Sequence, residues 1–520
     1  MNKIEHKKGY IFYVHKMSLS PEQNYAFEKF KRGENLFITG PGGTGKTRLI
    51  HTLISHMEQN RVNYQVCALT GCATVLIGGG ARTLHSWSGI KLAKGKSSDI
   101  VRRVTRNKHA IVEWKSIKVL IIDEVSMMSK KIFEIIEEIA RIIRKKREPF
   151  GGIQVIFTGD FYQLPPVGEL YEPETAQFGF ESEKWFEVFS LENHIQLTTM
   201  FRQKDPEYIR ILGEIREGSI SKESIDKLQM YVGRETSELQ VMPTKLFAIK
   251  SKVDFVNNTQ YQKLKGEEIS YRHIEKTDSV INVSTCVPIE PFKLAAFQAL
   301  SAEEITYETE NLIKTANIPK KIMLKIGALV MCTFNIDIES GICNGSQGII
   351  VDIKDSIGID GSPIRLPIVL FSNGHKRMIK YQQYQCEEYP SIVVSQLPLC
   401  LAWALTIHKI QGATLQLASM DLGATIFEFG QAYVALSRIQ NLDGLYLTAF
   451  QPNRIKANPI VKEFYRKIPE ISLEVLINQN ISEKVLQQVN PFSQFEYLEE
   501  DSIEIKSEKV ENSTIKKIRL

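Results

Sequence analysis

No stretch of about twenty uninterrupted apolar residues occurs in the sequence, which removes a bilayer-spanning helix from consideration. Cysteine is sparse and unpatterned. The seven cysteines, Cys67, Cys72, Cys286, Cys332, Cys343, Cys386 and Cys400, are odd in number and never form a C-x-x-C pair, so neither a disulfide framework nor a zinc site is expected. Most are read as small buried apolar residues. Neither sign of charge dominates: 65 Lys and Arg face 60 Asp and Glu, a net charge of +5 that fits a polyanionic partner without requiring one. Met1 to Ser20 lacks both a long apolar core and a small-residue cleavage pattern, so no secretory signal is expected and the protein is read as intracellular. No short-period repeat is present.

At 520 residues the chain is too long for one ordinary core, and several domains are expected. Short apolar runs with β character recur, each followed by a polar turn and then a helical pattern. Asn35 to Thr39 leads into Gly40-Pro41-Gly42-Gly43-Thr44-Gly45-Lys46-Thr47, after which Leu49, Ile50, Leu53, Ile54 and Met57 keep a helical spacing. Val119 to Ile122 and Ile153 to Phe157 read as two further fully buried strands, with a helix over Ile132 to Ile143 between them, so the expected fold class is α/β with a parallel sheet covered on both faces. The pattern partly returns between Gln196 and Val434, with strands at Lys245 to Ile249 and Leu401 to Ile407 and a helical segment from Gly430 to Arg438, which indicates a second α/β domain. Gly345 to Ile353 and Ile364 to Ile379 differ: their β-branched alternation around an Asn373-Gly374 turn predicts a small β-barrel inserted in that domain. Two charge runs stand out. Lys91, Lys94, Lys96, Arg102, Arg103, Arg106 and Lys108 face only Asp99 in their stretch, and the tail from Glu496 to Glu511 holds seven acids against two lysines. The basic run suits either a polyanion or a solvated loop, and the tail is read as an interaction segment for a protein partner.

Gly40 to Thr47 satisfies G-x-x-x-x-G-K-[ST] between a strand and a helix, where glycine lets backbone N–H groups close around phosphate oxygens at a helix start. Lys46 is assigned to the β- and γ-phosphates of ATP and the Thr47 hydroxyl to Mg²⁺. Asp123 and Glu124 end a buried strand, where one carboxylate can hold the metal with Thr47 and the other can activate water. Gln163, in Gly159-Asp160-Phe161-Tyr162-Gln163-Leu164-Pro165-Pro166, is a candidate γ-phosphate sensor.

Taken together these residues resemble one family. Gln23 in Leu19-Ser20-Pro21-Glu22-Gln23, the loop at Gly40, Thr70-Gly71-Cys72-Ala73 with Thr83-Leu84-His85-Ser86-Trp87, Asp123-Glu124-Val125-Ser126-Met127 and Pro149 through Gln163 are similar to the petite-integration-frequency DNA helicases. These belong to the 5′-to-3′ branch of helicase superfamily one. The likeness continues through Phe201-Arg202-Gln203, Asn344 to Gly348, Leu405 to Gly412 and Tyr433-Val434-Ala435-Leu436-Ser437-Arg438, spanning Ser18 to Tyr465. Pro41 and Gly43 depart from many members at the loop without threatening phosphate binding.

The resemblance implies two RecA-like domains with parallel sheets and an SH3-like β-barrel in the second. The implied layout is an N-terminal segment over 1–17, a first domain over 18–190 with a small insertion at about 84–112, a second domain split over 191–335 and 399–466 around the barrel at 336–398, and a tail over 467–520. It further implies that Gln23 reads the adenine edge, that Arg202 and Arg438 reach the γ-phosphate from the second domain, and that Thr406 to Gly412 holds a DNA backbone. Such arginines stabilise transition-state charge only when the cleft is shut, which links hydrolysis to closure. On this reading single-stranded DNA meets Thr70, Thr406, Lys409 and Gln411 along its backbone, with bases stacked on His85, Trp87 or His408. Trp87 fits a core ring equally well, and His408 a hydrogen-bonded structural histidine.

The implied activity is ATP- and Mg²⁺-dependent 5′-to-3′ translocation of a monomer on single-stranded DNA, with tailed or forked duplex as substrate, in the nucleus or another DNA-containing compartment. The competing reading is an ATP-switched DNA clamp or recombination accessory ATPase that hydrolyses without travelling. A small-molecule kinase would have no use for a second domain with paired arginines, and no residue points to the 2′-hydroxyl recognition that an RNA motor would need.

Overall fold

A computed structural model describes residues 19–469 apart from 79, 92, 237–241, 284–286, 317, 335, 338–339, 341, 343, 359–360, 387–388 and 413, and it leaves the side chains of residues 72, 75, 76, 109, 315, 408 and 409 undescribed. The expected N-terminal segment and nearly all of the acidic tail therefore lie outside the described residues, as do the side chains of His408 and Lys409.

The first sheet contains β1 (Leu36–Thr39), β2 (Tyr64–Ala68), β3 (Arg82–Thr83), β4 (Val119–Asp123), β5 (Gln154–Gly159) and β6 (His194–Gln196), in the order β3-β2-β4-β5-β1-β6. Every pairing is parallel. The central strands β1, β4 and β5 are mostly apolar and buried because both faces are covered, and alternate residues go to different cores. Phe37, Leu120, Ile122, Val155 and Phe157 join the helix Lys130–Arg144 on one side, while Leu36, Ile38, Ile121 and Ile156 join the helices Pro21–Lys31 and Lys46–Gln59 on the other. Ser129 caps the Lys130–Arg144 helix by accepting from the Ile132 N–H, which fixes its start two residues ahead of the expected Ile132.

The region expected as a small insertion at 84–112 shares the first of these cores. Its helix Ser97–Arg106 turns Ile100, Val101 and Val104 inward and leaves its arginines outside. Trp87 is 2% exposed, with its ring centroid 4.5 Å from that of Trp114. With its ring packed in this core, Trp87 offers no face to a base, so the stacking assignment is corrected to a core role.

The second sheet is also parallel, with Ala404–Thr406, Thr244–Phe247, Ala418–Leu422 and Leu445–Phe450 as neighbours in that order. Between its first two strands in the sequence the chain builds antiparallel sheets. The largest joins Leu329–Cys332, Gln347–Ile357, Pro363–Phe371, Lys376–Met378 and Leu399–Leu401. The Asn373-Gly374 hairpin pairs Ile368 with Met378, and Gly374 has φ +85°, as the turn requires. This sheet begins before residue 336 and ends after 398. The single strand expected over Leu401 to Ile407 is divided: Leu399–Leu401 pairs with Leu329–Cys332, whereas Ala404–Thr406 pairs with Thr244–Phe247. The apolar run is continuous because the chain passes from one buried sheet straight into another.

Among the described residues no helix is long and apolar enough to cross a membrane.

Candidate active site

The carboxyl ends of β1, β4 and β5 converge, the place where open parallel sheets bind ligands. The loop after β1 needs its glycines. Gly40 has φ +147°, and a Cβ there would lie 2.4 Å from the Leu197 carbonyl oxygen; Gly43 has φ +100°, and its Cβ would lie 2.8 Å from the Arg202 Cβ. Lys46 opens the following helix and arches over the loop, its Nζ donating to the carbonyls of Gly40 at 2.6 Å and Pro41 at 3.0 Å. Thr44 is buried and donates to the Pro41 carbonyl at 2.9 Å. Burial lowers the Lys46 pKa against the pull of Asp160, Glu124 and Asp123, so an ammonium ion sits poorly hydrated among carboxylates.

Gln23 braces this loop. Its Nε2 donates to the carbonyls of Thr44 at 3.2 Å and Gly45 at 3.3 Å, and its Oε1 accepts from the Ser20 N–H in a capping box. With both ends of the amide engaged and the side chain fully buried, Gln23 supports the phosphate loop rather than presenting an open edge to a base.

Asp123 closes β4 and accepts from the Glu124 N–H at 2.8 Å and, through a short bond, from the Thr158 hydroxyl. Burial and the adjacent Glu124 carboxylate push it up to about 6. Glu124 has φ +56°, a strained conformation for a side chain of its size, and it turns toward the second domain, where Gln411 donates to its Oε2 at 3.1 Å. Gln411 Nε2 also lies 3.5 Å from Gln163 Oε1. The structure therefore puts Gln411, expected on DNA, among the residues expected to meet the γ-phosphate. Two adjacent carboxylates in a buried pocket, with the Asp123 pKa raised by burial and by Glu124, fit a divalent cation, whose charge would offset their repulsion. Such an ion is the one expected on Asp123 and Thr47. Among the described residues no group of three or more His, Cys, Asp or Glu is placed to hold a metal ion.

Both arginines of the second half reach this pocket. Arg202 follows Phe201, whose N–H donates to the Gly43 carbonyl at 2.9 Å, and its Nη1 donates to the Ser437 carbonyl at 3.0 Å. Burial, together with nearby Arg438, pulls it down to about 10. Arg438 is 2% exposed, with Nε donating to the Val434 carbonyl at 3.0 Å. Burial lowers its pKa, with the Glu124 carboxylate opposing. Three cations gathered from two domains in a buried pocket match the charge of a triphosphate.

Of the remaining expected residues, Thr70 caps the helix Gly71–Ile77 by accepting from the Ala73 N–H at 3.3 Å, and Thr406 ends its strand. His85 is partly buried, and loss of hydration lowers its pKa.

Four residues acquire a place here that sequence reasoning left without a role. Gln203 is buried and donates to the carbonyls of Ser437 at 3.2 Å and Ile439 at 3.0 Å, on either side of Arg438. Asp160 is fully buried and takes two bonds of 2.9 Å from Arg216, at the end of the helix Pro206–Glu217. Tyr433 joins Asp160 to the phosphate loop. A signal for Arg216 was present: with Tyr208, Ile211, Leu212 and Ile215 it completes the inward helical stripe, a position where a charge needs a partner.

Comparison with known proteins agrees with this geometry. The family model described as PIF1-like helicase matches residues 18–226, and one described as DNA helicase Pif1, 2B domain, matches residues 308–353. The chain is 34% identical over 469 residues to the ATP-dependent DNA helicase PIF1 of Xenopus laevis, covering 89% of this chain and 66% of that protein. It superposes on the crystal structure of Pif1 helicase from Candida albicans with a TM-score of 0.67 and 32% identity, covering 87% of this chain and all of that one. This chain belongs to the PIF1-like helicase family. A further family structure, Pif1 helicase from Bacteroides in complex with ADP-AlF3 and ssDNA, matches with a TM-score of 0.56 at 26% identity over 86% of this chain and 97% of that one. The chain spans a little under two thirds of the length of the Xenopus laevis relative. Within the family frame the two parallel sheets are the RecA-like pair, and the family's 2B region falls on the antiparallel sheets.

Proposed function

We propose that the protein is an ATP-dependent DNA helicase that moves 5′-to-3′ along single-stranded DNA and unwinds tailed, forked or structured duplex in replication, repair or recombination. The observation that carries this reading is the meeting of Arg202 and Arg438, from the second domain, with the Gly40–Thr47 loop and Glu124 of the first. A pocket assembled from two domains hydrolyses ATP only when both are in place, so each turnover is tied to a relative movement of the two. The Bacteroides relative, which binds ADP-AlF3 and single-stranded DNA in one structure, supports both ligands for this chain.

In this reading Lys46 and the loop amides bind the phosphates, Glu124 positions and deprotonates the attacking water with Gln163 and Gln411 beside it, and the two arginines offset charge at the γ-phosphate. Mg²⁺, held by Asp123 and Thr47, supplies neutralisation of the phosphate oxygens when bound. Thr70 and Thr406, each at or just beyond the carboxyl end of a strand, form with Lys409 the proposed track for the DNA backbone, and His85 or His408 the proposed stacking surface for its bases. The SH3-like character of the insertion, action as a monomer, a DNA-containing compartment and a partner-binding role for the tail complete the proposal.

The test has two arms. ATPase turnover of the wild type is expected to rise strongly with single-stranded DNA, and Lys46→Ala is expected to abolish it while strand binding persists. A 5′-tailed duplex is expected to be separated and a 3′-tailed one left intact. Hydrolysis without strand release on either substrate supports the clamp reading and sinks translocation.

A further inference from the structure

We infer that the Tyr433 hydroxyl is a positioning group for ATP hydrolysis, docking the segment that bears Arg438 onto the phosphate loop. This rests on the proposed hydrolysis at that loop and extends it to a residue with no assigned contact to a phosphate.

The contacts are directional and buried. The Gly42 N–H donates to Tyr433 Oη at 2.9 Å, and the Tyr433 hydroxyl donates in turn to Asp160 Oδ2 at 3.2 Å. Gly42 offers only a donor and Asp160 only acceptors, so a hydroxyl, able to do both, is the group that joins them. Tyr433 is 2% exposed, and burial together with the nearby Asp160 carboxylate raises its pKa, so the hydroxyl keeps its proton. Asp160 is itself held by Arg216, whose guanidinium lies 4.4 Å from the Tyr162 ring centroid, and by the Tyr465 hydroxyl at 3.3 Å. The anchor is therefore rigid.

From Tyr433 to the arginines the path is short. The Tyr433 carbonyl accepts from the Ser437 N–H at 2.9 Å, and the Ser437 carbonyl accepts from Arg202 Nη1 at 3.0 Å and Gln203 Nε2 at 3.2 Å. Arg438 follows directly, bonded back to Val434. One hydroxyl thus ties the glycine loop of the first domain to the turn that carries Arg438. Near-attack geometry tolerates little displacement, and a misplacement of about 1 Å costs on the order of 10²-fold in rate. Removing the hydroxyl while keeping the ring loosens this docking without emptying the core.

The experiment measures single-stranded-DNA-stimulated ATPase for wild type, Tyr433→Phe, Arg438→Ala and the double variant. It is accompanied by the affinity for a fluorescent ADP analogue and by the thermal midpoint. Tyr433→Phe is expected to lower kcat about tenfold, with the KM for ATP and the ADP affinity within about twofold of wild type, because the lost interaction acts on the transition state. In the Arg438→Ala background the same change is expected to add nothing beyond about twofold, since the hydroxyl acts through that arginine. Tyr433→Phe with wild-type kcat overturns the proposal, as does a further tenfold loss in the double variant. A raised KM with kcat kept instead assigns the hydroxyl to direct nucleotide binding and also overturns it. Should Arg438→Ala hydrolyse ATP at the wild-type rate, the role of that arginine falls first and the positioning role falls with it.

Discussion

The two parallel sheets are built from chain that is distributed very differently. All six strands of the first lie between Leu36 and Gln196, each joined to the next by a helix or a short irregular link. The second sheet loses the chain after Phe247 and recovers it at Ala404, with the antiparallel sheets formed in between. The first domain therefore presents its chemistry at adjacent strand ends, as local loops. The second presents arginines from distant segments, braced by backbone carbonyls, chiefly that of Ser437, which accepts from both Arg202 and Gln203. A site with a local half and a non-local half suits a motor, because the non-local half can withdraw without unfolding the local one.

Three substitutions test this contrast, the most damaging first. Arg216→Ala strikes the joint itself. It leaves Asp160 buried and unpaired, where removal of one partner of a buried pair costs about 3–5 kcal/mol. A marked fall in thermal midpoint together with loss of ATPase is expected; an unchanged midpoint would mean that the pair does not hold the domains together. Gly43→Ala strikes the loop and its contact with the Arg202-Gln203 segment, since its Cβ would press on the Arg202 Cβ and the Gln203 Oε1 at φ +100°. Turnover is expected to drop about 10²-fold with the fold intact, as circular dichroism would report. Gly374→Ala strikes only the antiparallel region, where φ is +85° and no neighbour lies within 4 Å. It should cost about 1 kcal/mol and leave ATPase unchanged; a collapse of turnover would show that the insertion and the nucleotide site are not separable in this way.

The legible part of the molecule is its local half. The loop at Gly40, the Asp123-Glu124 strand end and the helix over Lys130–Arg144 follow from apolar period and glycine placement alone, because each is decided by neighbours in sequence. The non-local half was less readable. Leu401 to Ile407 looks like one strand because both sheets it serves are buried, so burial pattern cannot reveal the change of partner at Ala402 and Trp403. Trp87 looks like a stacking platform until Trp114 is found against it. Gln411 sits in a stretch assigned to DNA by resemblance, and only the approach of two distant segments places it on Glu124. Buried polar residues such as Asp160 and Gln203 were visible as letters, but their partners lie 56 and 234 residues away in the chain.

The central claim is that ATP is cleaved only in a pocket completed from both domains. The most direct measurement is the single-stranded-DNA-stimulated ATPase of Arg438→Ala beside its affinity for the same strand. A loss in kcat on the order of 10³ or more with strand affinity retained is expected. Turnover close to wild type, with DNA still bound, would contradict it.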